Sequence, residues 1–282
     1  MKILVLGGVG QLGQCINKVA TQRGITSISF VDEFVGNILD MRVLENLFVQ
    51  EKPEYVINCA AYTAVDKAED EVELSRKINR DGAENIAKMC VKYNATLLHV
   101  STDFVFEGNV PSLLDEDSLA HPISMYGLTK LEGEKAITDL LPDHYIVRTA
   151  WLYSEFANNF MKTMIKLGTE RDSLGVIADQ IGSPTYGVDL ASALLDIIAS
   201  GKKNYGIYHY SNEGAISWYD FAQAIFELVN IEIKVKPLKT SEYPTKAARP
   251  AFSAMDKTKI KSTFGIEIPY WRDSLKVALM AL

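Results

Sequence analysis

Short apolar runs alternate with longer segments of helical periodicity through the first half of the chain. The predicted strands, each an almost uninterrupted apolar run, are Ile3–Leu6, Ile28–Val31, Tyr55–Cys59, Leu97–Val100 and Ile146–Arg148. The predicted helices, each with apolar residues recurring every three or four positions, are Gln11–Arg23, Val43–Gln50, Ala83–Tyr93 and Lys130–Leu140. Because buried strands that alternate with helices form right-handed crossovers, this pattern predicts an α/β fold with a doubly wound parallel sheet.

Three glycines mark the first strand-to-helix turn. Gly7, Gly10 and Gly13 follow the first predicted strand and open the first predicted helix, with the spacing Gly-x-x-Gly-x-x-Gly. Glycines placed in this way allow a tight turn, a close approach of the backbone to a pyrophosphate, and close packing of helix on strand. The turn therefore predicts a Rossmann-type dinucleotide site for NADPH or NADH, with Gln11 and Leu12 as further contacts.

Acidic residues beyond this turn are candidates for contacts to the nucleoside part of the cofactor. Asp32 ends the second strand, about 20 residues beyond the glycines, where a carboxylate can accept from a ribose hydroxyl. A solvated loop carboxylate is the alternative. No arginine follows to bind a 2′-phosphate, which favours NADH but leaves the choice between NADH and NADPH open. Asp40 and Met41 are candidates for the adenine side, and Asp40 is equally typical of a helix N-cap.

Small residues follow the third predicted strand. Ala60 and Ala61, with Tyr62 after them, would let a dinucleotide lie across the carboxyl end of that strand, where ligands bind in open α/β sheets. Tight packing without a ligand is the alternative interpretation.

The chemistry is predicted from a tyrosine and a lysine four positions apart. On a helix, Tyr126 and Lys130 would share one face. A nearby ammonium favours the phenolate and is expected to lower the tyrosine pKa from about 10. Such a tyrosine can pass a proton to a carbonyl oxygen while a hydride reaches the carbon. Thr102, just after the strand Leu97–Val100, would hydrogen-bond that carbonyl and complete a triad of polariser, proton donor and cation. An ordinary Ser/Thr/Asp turn is the alternative for this segment taken alone.

Loop-like segments become frequent after about Arg148, and they separate two further predicted helices, Val188–Ala199 and Trp218–Leu228. We therefore predict a dinucleotide-binding Rossmann-type domain over residues 1–150. Residues 151–282 are predicted to form mainly a smaller substrate-binding lobe. The boundary is soft, because later segments can return to the main sheet.

Composition narrows the classes of function. Of 282 residues, 48% are hydrophobic, and the net charge of −7 argues against binding to nucleic acid or to anionic membranes. No signal-peptide or membrane-spanning segment is legible, so we expect a cytoplasmic protein. Three scattered cysteines and four scattered histidines show no metal-ligand spacing, and no metal site is predicted. His99 lies within an apolar strand and is interpreted as a core residue.

Several motifs resemble one enzyme family. The segments Gly7–Gly13, Ala60–Glu69, Ser101–Phe106 and Tyr126–Lys130 together resemble the extended short-chain dehydrogenases/reductases. Within that family, the second half is similar to the subfamily that reduces dTDP-4-dehydrorhamnose. Its motifs follow in the same order at Val147–Tyr153, Asn158–Phe160, Asp179–Thr185, Ser217–Tyr219 and Arg249-Pro250. The resemblance covers nearly the whole chain.

This resemblance implies hydride transfer from a nicotinamide to C4 of dTDP-4-dehydro-L-rhamnose, giving dTDP-L-rhamnose for polysaccharides such as O-antigen or cell wall. It implies that Tyr126 donates the proton and that Lys130 holds the nicotinamide ribose. The implied contacts to the sugar nucleotide are Thr102, Asp103, Trp151, Asn159 and Arg249. A core position is the alternative for Trp151, and a surface ion pair is the alternative for Arg249.

The chain departs from the family pattern at two positions, and two alternative functions stay open. Phe104 stands where the family commonly has tyrosine, and Ala150 stands where it commonly has serine. A reductase or epimerase of another nucleotide-linked 4-keto-6-deoxyhexose is a second interpretation, and a non-catalytic dinucleotide-binding regulatory subunit is a third. We expect a monomer or homodimer. Mg²⁺ is possible, although no ligand set for it is legible.

Overall fold

The computed structural model describes all 282 residues. The strands are β1 (Ile3–Leu6), β2 (Ile28–Val31), β3 (Tyr55–Asn58), β4 (Thr96–Thr102), β5 (His144–Thr149), β6 (Leu152–Tyr153), β7 (Ser173–Ile177), β8 (Ile181–Gly182), β9 (Thr185–Tyr186), β10 (Gly206–His209), β11 (Ile216–Ser217) and β12 (Lys234–Leu238). The helices are α1 (Gln11–Gln22), α2 (Met41–Glu51), α3 (Val65–Ala68), α4 (Val72–Arg76), α5 (Gly82–Tyr93), α6 (Met125–Leu140), α7 (Phe160–Glu170), α8 (Gly187–Ser200), α9 (Trp218–Leu228), α10 (Thr258–Phe264) and α11 (Trp271–Met280).

Six parallel strands form the central sheet, in the spatial order β10-β5-β4-β3-β1-β2. Both faces of the sheet are covered by helices, since one apolar cluster joins it to α1 and α8 and a second joins it to α2 and α5. The predicted doubly wound α/β class is therefore confirmed. Because all the strands are parallel, their carboxyl ends lie along one edge of the sheet.

A third apolar cluster is built mainly from the second half of the chain. It packs α7, α9 and α11 against the two-stranded sheet of β7 and β12. The second half also returns to the main sheet, because β10 pairs with β5 and α8 packs on α1. The division into two units at residue 150 stays a prediction. The sequence analysis allowed later segments to return to the main sheet, and β10 is such a segment.

The predicted elements differ from the structure mainly at their ends. Helix α6 begins at Met125 rather than Lys130, because the Ser124 side chain caps it by accepting from the Gly127 backbone N–H at 3.2 Å. Strand β12 contains a proline, Pro237, within the part of the chain where loop-like segments are predicted. Pro237 is tolerated there because a two-stranded sheet has only edge strands.

Candidate active site

A cavity of about 450 Å³ lies at the carboxyl ends of the central strands. We call it the strand-end cavity. Nine residues predicted for catalysis or binding line it: Gly10, Gln11, Leu12, Ala61, Thr102, Asp103, Tyr126, Lys130 and Trp151. The parallel sheet thus brings residues from four different strand ends and from helix α6 around one space.

The glycine turn is built for close backbone approach. Gly7 has a φ of +73°, and a Cβ there would lie 2.8 Å from the Ala60 backbone nitrogen. A Cβ on Gly13 would lie 2.4 Å from the Gly8 carbonyl oxygen. Side chains at these two positions would therefore push the turn away from β3 and helix α1 away from the turn.

Free donors face the cavity beside this turn. No side chain caps the N-terminus of α1, so its first backbone N–H groups remain available for an anion. The buried Nε2 of Gln11 has no hydrogen-bond partner within the protein. These donors, together with the close-packed glycines, fit the pyrophosphate of a dinucleotide.

Helix α6 approaches the end of β4 unusually closely. A Cβ on Gly127 would lie 2.1 Å from the carbonyl oxygen of Phe104, so only glycine permits this contact. The Phe104 ring packs edge-on against Tyr126, with ring centroids 5.5 Å apart. The contact brings Tyr126 beside Thr102, and nothing in the local sequence pattern around Gly127 indicated it.

The expected lowering of the Tyr126 pKa is wrong for this structure. Burial raises the pKa of Tyr126 to about 12, the neighbouring Thr102 hydroxyl acts against that rise, and the charge of Asp103 adds to it. The reason is that the phenol loses more solvation than its neighbours restore. Without ligands, the phenol is therefore a protonated group.

Lys130 points into the sheet rather than into solvent. Its Nζ donates to the Val100 carbonyl oxygen at 2.8 Å and lies 3.2 Å from Nε2 of His99. Burial lowers the pKa of Lys130 to about 8, while Glu134 and Cys59 act in the opposite direction. Sequence reasoning treated His99 only as a core residue and missed this contact, which joins two distant segments of the chain.

Two further groups support the end of β4. Asp103 accepts from the Thr102 hydroxyl at 3.1 Å, and burial raises the pKa of Asp103 to about 6.

The second group is a buried ion pair between Arg148 and Glu134 at 2.6 Å, and Ser101 donates to the same carboxylate. This pair fixes α6 against β4 and β5.

Trp151 adopts a constrained conformation at the cavity wall. Its φ of +46° lies in the left-handed region, which a bulky residue rarely adopts. Its indole stacks on that of Trp218 with centroids 3.5 Å apart and planes 9° apart. A Cβ on Gly182 would lie 2.7 Å from the Trp151 ring. One indole face is therefore already covered, which leaves less of the ring for a sugar than the sequence suggested.

A second cavity of about 620 Å³ lies in the C-terminal half, and we call it the lobe cavity. Trp218, Tyr243, Arg171 and Arg249 are among its lining residues. Because Trp218 stacks on Trp151, the tryptophan pair connects the walls of the two cavities.

Some predicted residues do not line the strand-end cavity. Asp32 accepts from the backbone N–H groups of Phe34 and Val35, and Asp40 caps helix α2. Asn159 caps α7 and also donates to the Ser154 carbonyl. Others outside that cavity are Gly7, Gly13, Met41, Ala60, Tyr62 and Arg249.

Arg249 forms an ion pair across the molecule. Its Nη2 lies 2.7 Å from Oδ2 of Asp66, which lies in α3 near the end of β3. The same guanidinium lines the lobe cavity. The structure therefore shows the ion pair that was the alternative for this residue, at a position where a ligand in the lobe cavity would still reach it.

No group of three or more histidine, cysteine, aspartate or glutamate side chains is arranged to hold a metal ion. No helix combines the length and the apolar character that crossing a membrane requires.

Comparison with known proteins gives one consistent result. The family model described as RmlD substrate binding domain matches residues 1–282. The chain is 41% identical over 286 residues to a dTDP-4-dehydrorhamnose reductase of Aggregatibacter actinomycetemcomitans, covering 98% of this chain and 97% of that relative.

Two solved structures are equally similar in fold. A dTDP-4-dehydrorhamnose reductase from Clostridium acetobutylicum matches with a TM-score of 0.95 and 42% identity, covering 100% of this chain and 99% of the other. A dTDP-4-dehydrorhamnose reductase from Bacillus anthracis, solved in complex with NADP, matches with a TM-score of 0.95 and 37% identity over 100% of both chains.

Proposed function

The chain belongs to the RmlD substrate binding domain family, and from this membership we propose that it reduces the C4 keto group of dTDP-4-dehydro-L-rhamnose to give dTDP-L-rhamnose. One observation carries the proposal. Gly10, Gln11 and Leu12 of the glycine turn line the same cavity as Tyr126 and Thr102, so a hydride source and a proton donor can meet at one carbonyl group.

The cofactor is proposed to be NADPH or NADH. The uncapped N-terminus of α1 and the unpartnered Gln11 amide would bind its pyrophosphate, and Gly7 and Gly13 leave room for the backbone to approach. Asp32 and Asp40, with Met41, are proposed for the ribose and adenine end. When bound, the cofactor supplies a hydride to carbon.

The protein's own part is the transfer of a proton. Tyr126 is protonated, and its O–H bond breaks as the carbonyl oxygen of the substrate gains a proton. Thr102 would orient that oxygen, and Lys130, which lines the same cavity, would hold the nicotinamide ribose and be the source from which the phenolate regains a proton. Thr102 and Lys130 are almost completely buried, which strengthens their interactions relative to the same contacts in water.

The sugar and the nucleotide are proposed to occupy different cavities. Asp103 and Trp151 line the strand-end cavity and would contact the sugar, whereas Arg249 lines the lobe cavity and would pair with a diphosphate. The stacked tryptophans connect the two walls, so a single elongated substrate would lie along both.

A direct assay tests the activity. The purified protein is mixed with NADPH or NADH and with dTDP-4-dehydro-L-rhamnose or a UDP-linked 4-keto sugar, and cofactor oxidation is followed by absorbance. We expect oxidation that depends on the dTDP sugar. Product formation without added reductant would indicate an epimerase instead, and binding of dinucleotide without any turnover would indicate a regulatory subunit.

A matched pair of variants tests the proton donor. Tyr126→Phe is expected to lower kcat by about a hundredfold or more, because the proton has no source, while the dissociation constant of the cofactor changes little. Tyr93→Phe is the control, since the Tyr93 hydroxyl donates to Glu45 of α2 and Tyr93 does not line the strand-end cavity. A near-normal kcat in Tyr126→Phe would refute the assignment.

A further inference from the structure

A buried hydrogen-bond chain ends at the amine of Lys130. The Ala60 backbone N–H donates to Oδ1 of Asn58 at 3.0 Å, and Nδ2 of Asn58 lies 3.0 Å from Nδ1 of His99. Nε2 of His99 lies 3.2 Å from Nζ of Lys130. Asn58, His99 and Lys130 are all almost completely buried, so no solvent competes for these bonds.

The chain of bonds determines the tautomer of His99. Because a backbone N–H can only donate, the atom of Asn58 that faces Ala60 must be the oxygen, and the amide nitrogen then faces His99. The nitrogen donates to Nδ1, which must carry the lone pair. His99 is neutral, because burial and the charge of Lys130 hold its pKa well below the ordinary value. Its single ring proton is therefore on Nε2.

We propose that His99 is a positioning residue that presents its Nε2–H to Lys130 and thereby favours the neutral amine over the ammonium. An amine accepts this bond through its lone pair and still donates to the Val100 carbonyl. An ammonium has no lone pair, so its contact with Nε2–H sets two donors against each other. This inference rests on the proposed function, in which Lys130 returns a proton to Tyr126.

Other groups near the pair do not provide the same effect. Glu134 favours the ammonium, but its carboxylate is already bound to Arg148 and Ser101. Cys59 faces Lys130 as a thiol whose pKa burial raises to about 12. His144 lowers the pKa of His99 and so acts in the direction that keeps His99 neutral.

The consequence for catalysis is a readier supply of protons. In the proposed mechanism, the phenolate left at Tyr126 regains its proton from Lys130, so an N–H bond of Lys130 breaks and the phenol O–H forms again. The neutral amine that remains is the form that His99 stabilises. A lysine held in this way releases its proton more readily than one bound only to carbonyl oxygens.

Nuclear magnetic resonance of the unliganded protein tests the tautomer without any need for turnover. ¹⁵N shifts of the labelled histidine ring are expected to place the His99 proton on Nε2 at a pH where Lys130 is neutral. A proton on Nδ1 under those conditions would overturn the proposal. Because no substrate is present, this result is independent of whether the proposed reductase activity is correct.

A variant tests the effect on Lys130. In His99→Gln the amide can turn its oxygen toward Lys130, so the Lys130 pKa, followed through its ¹³Cε shift, is expected to rise by about one unit or more. The alkaline limb of kcat should move upward with it. His144→Gln is the matched control, because the His144 ring contacts the Leu141 carbonyl and not Lys130. This variant should leave the Lys130 pKa and the alkaline limb of kcat unchanged. An unchanged or lowered Lys130 pKa in a folded His99→Gln protein would overturn the proposal.

Discussion

The buried ammonium of Lys130 should make the protein less stable than a version without it. Burial lowers the pKa of Lys130 from its ordinary value of 10.5 to about 8. At about 1.4 kcal/mol for each pKa unit, the ammonium costs roughly 3 kcal/mol of folding free energy at pH 7. Lys130→Met removes this cost but also removes the bond to the Val100 carbonyl, worth about 1 kcal/mol. We expect the variant to be more stable by about 2 kcal/mol and to lose reductase activity.

The pH dependence gives this prediction its sign. Between pH 8 and 10.5 the unfolded chain binds a proton at Lys130 that the folded chain has released, so the wild-type protein gains stability as the pH rises. The difference between the wild-type protein and Lys130→Met should therefore shrink across this range. Urea unfolding at pH 7, 9 and 10.5, followed by tryptophan fluorescence, measures it.

A surface lysine on the same helix provides the control. Lys135 is exposed, so Lys135→Met should change the free energy of unfolding by no more than about 0.5 kcal/mol at any of these pH values. If Lys130→Met were no more stable than the wild-type protein at pH 7, or if its advantage did not shrink at higher pH, the ammonium would not be the source of the cost.

Three further predictions follow from close contacts. Gly13→Ala places a Cβ 2.4 Å from the Gly8 carbonyl, so the dissociation constant of NADPH, measured by fluorescence titration, should rise at least about tenfold; unchanged binding would contradict the role of the turn. Glu134→Gln leaves Arg148 without its buried partner and should lower the free energy of unfolding by about 3 kcal/mol in urea, whereas a loss below 1 kcal/mol would show that water replaces the pair. Trp218→Ala removes the ring stacked on Trp151. The KM for the sugar nucleotide should rise by about tenfold, while kcat should change much less. A fall in kcat with an unchanged KM would show that the tryptophan pair does not take part in substrate binding.

Predictions from the sequence succeeded where the signal is local. The strands Ile3–Leu6 and Ile28–Val31 and the helix Trp218–Leu228 were predicted with the bounds that the structure has. Apolar runs and helical periodicity are properties of neighbouring residues, and burial of the whole sheet turns them directly into strands and helices. The glycine turn was legible for the same reason, since its requirements concern one short segment.

Charge states were predicted poorly. The spacing of Tyr126 and Lys130 indicated a lysine that lowers the tyrosine pKa, but in the structure burial raises that pKa, and Lys130 is bonded to Val100 and His99. A pKa depends on how much solvent each group loses and on which groups surround it. Sequence spacing contains neither quantity.

By itself, the sequence determined the order of strands and helices, the dinucleotide turn, and the presence of a tyrosine and a lysine on one helix, because each follows from residues close together in the chain. Only the tertiary structure decided which partners these residues have. The approach of Gly127 to Phe104, the bond between His99 and Lys130, and the stack of Trp151 on Trp218 join segments more than twenty residues apart. Such contacts depend on how the strands are ordered in the sheet, and no local pattern records that order.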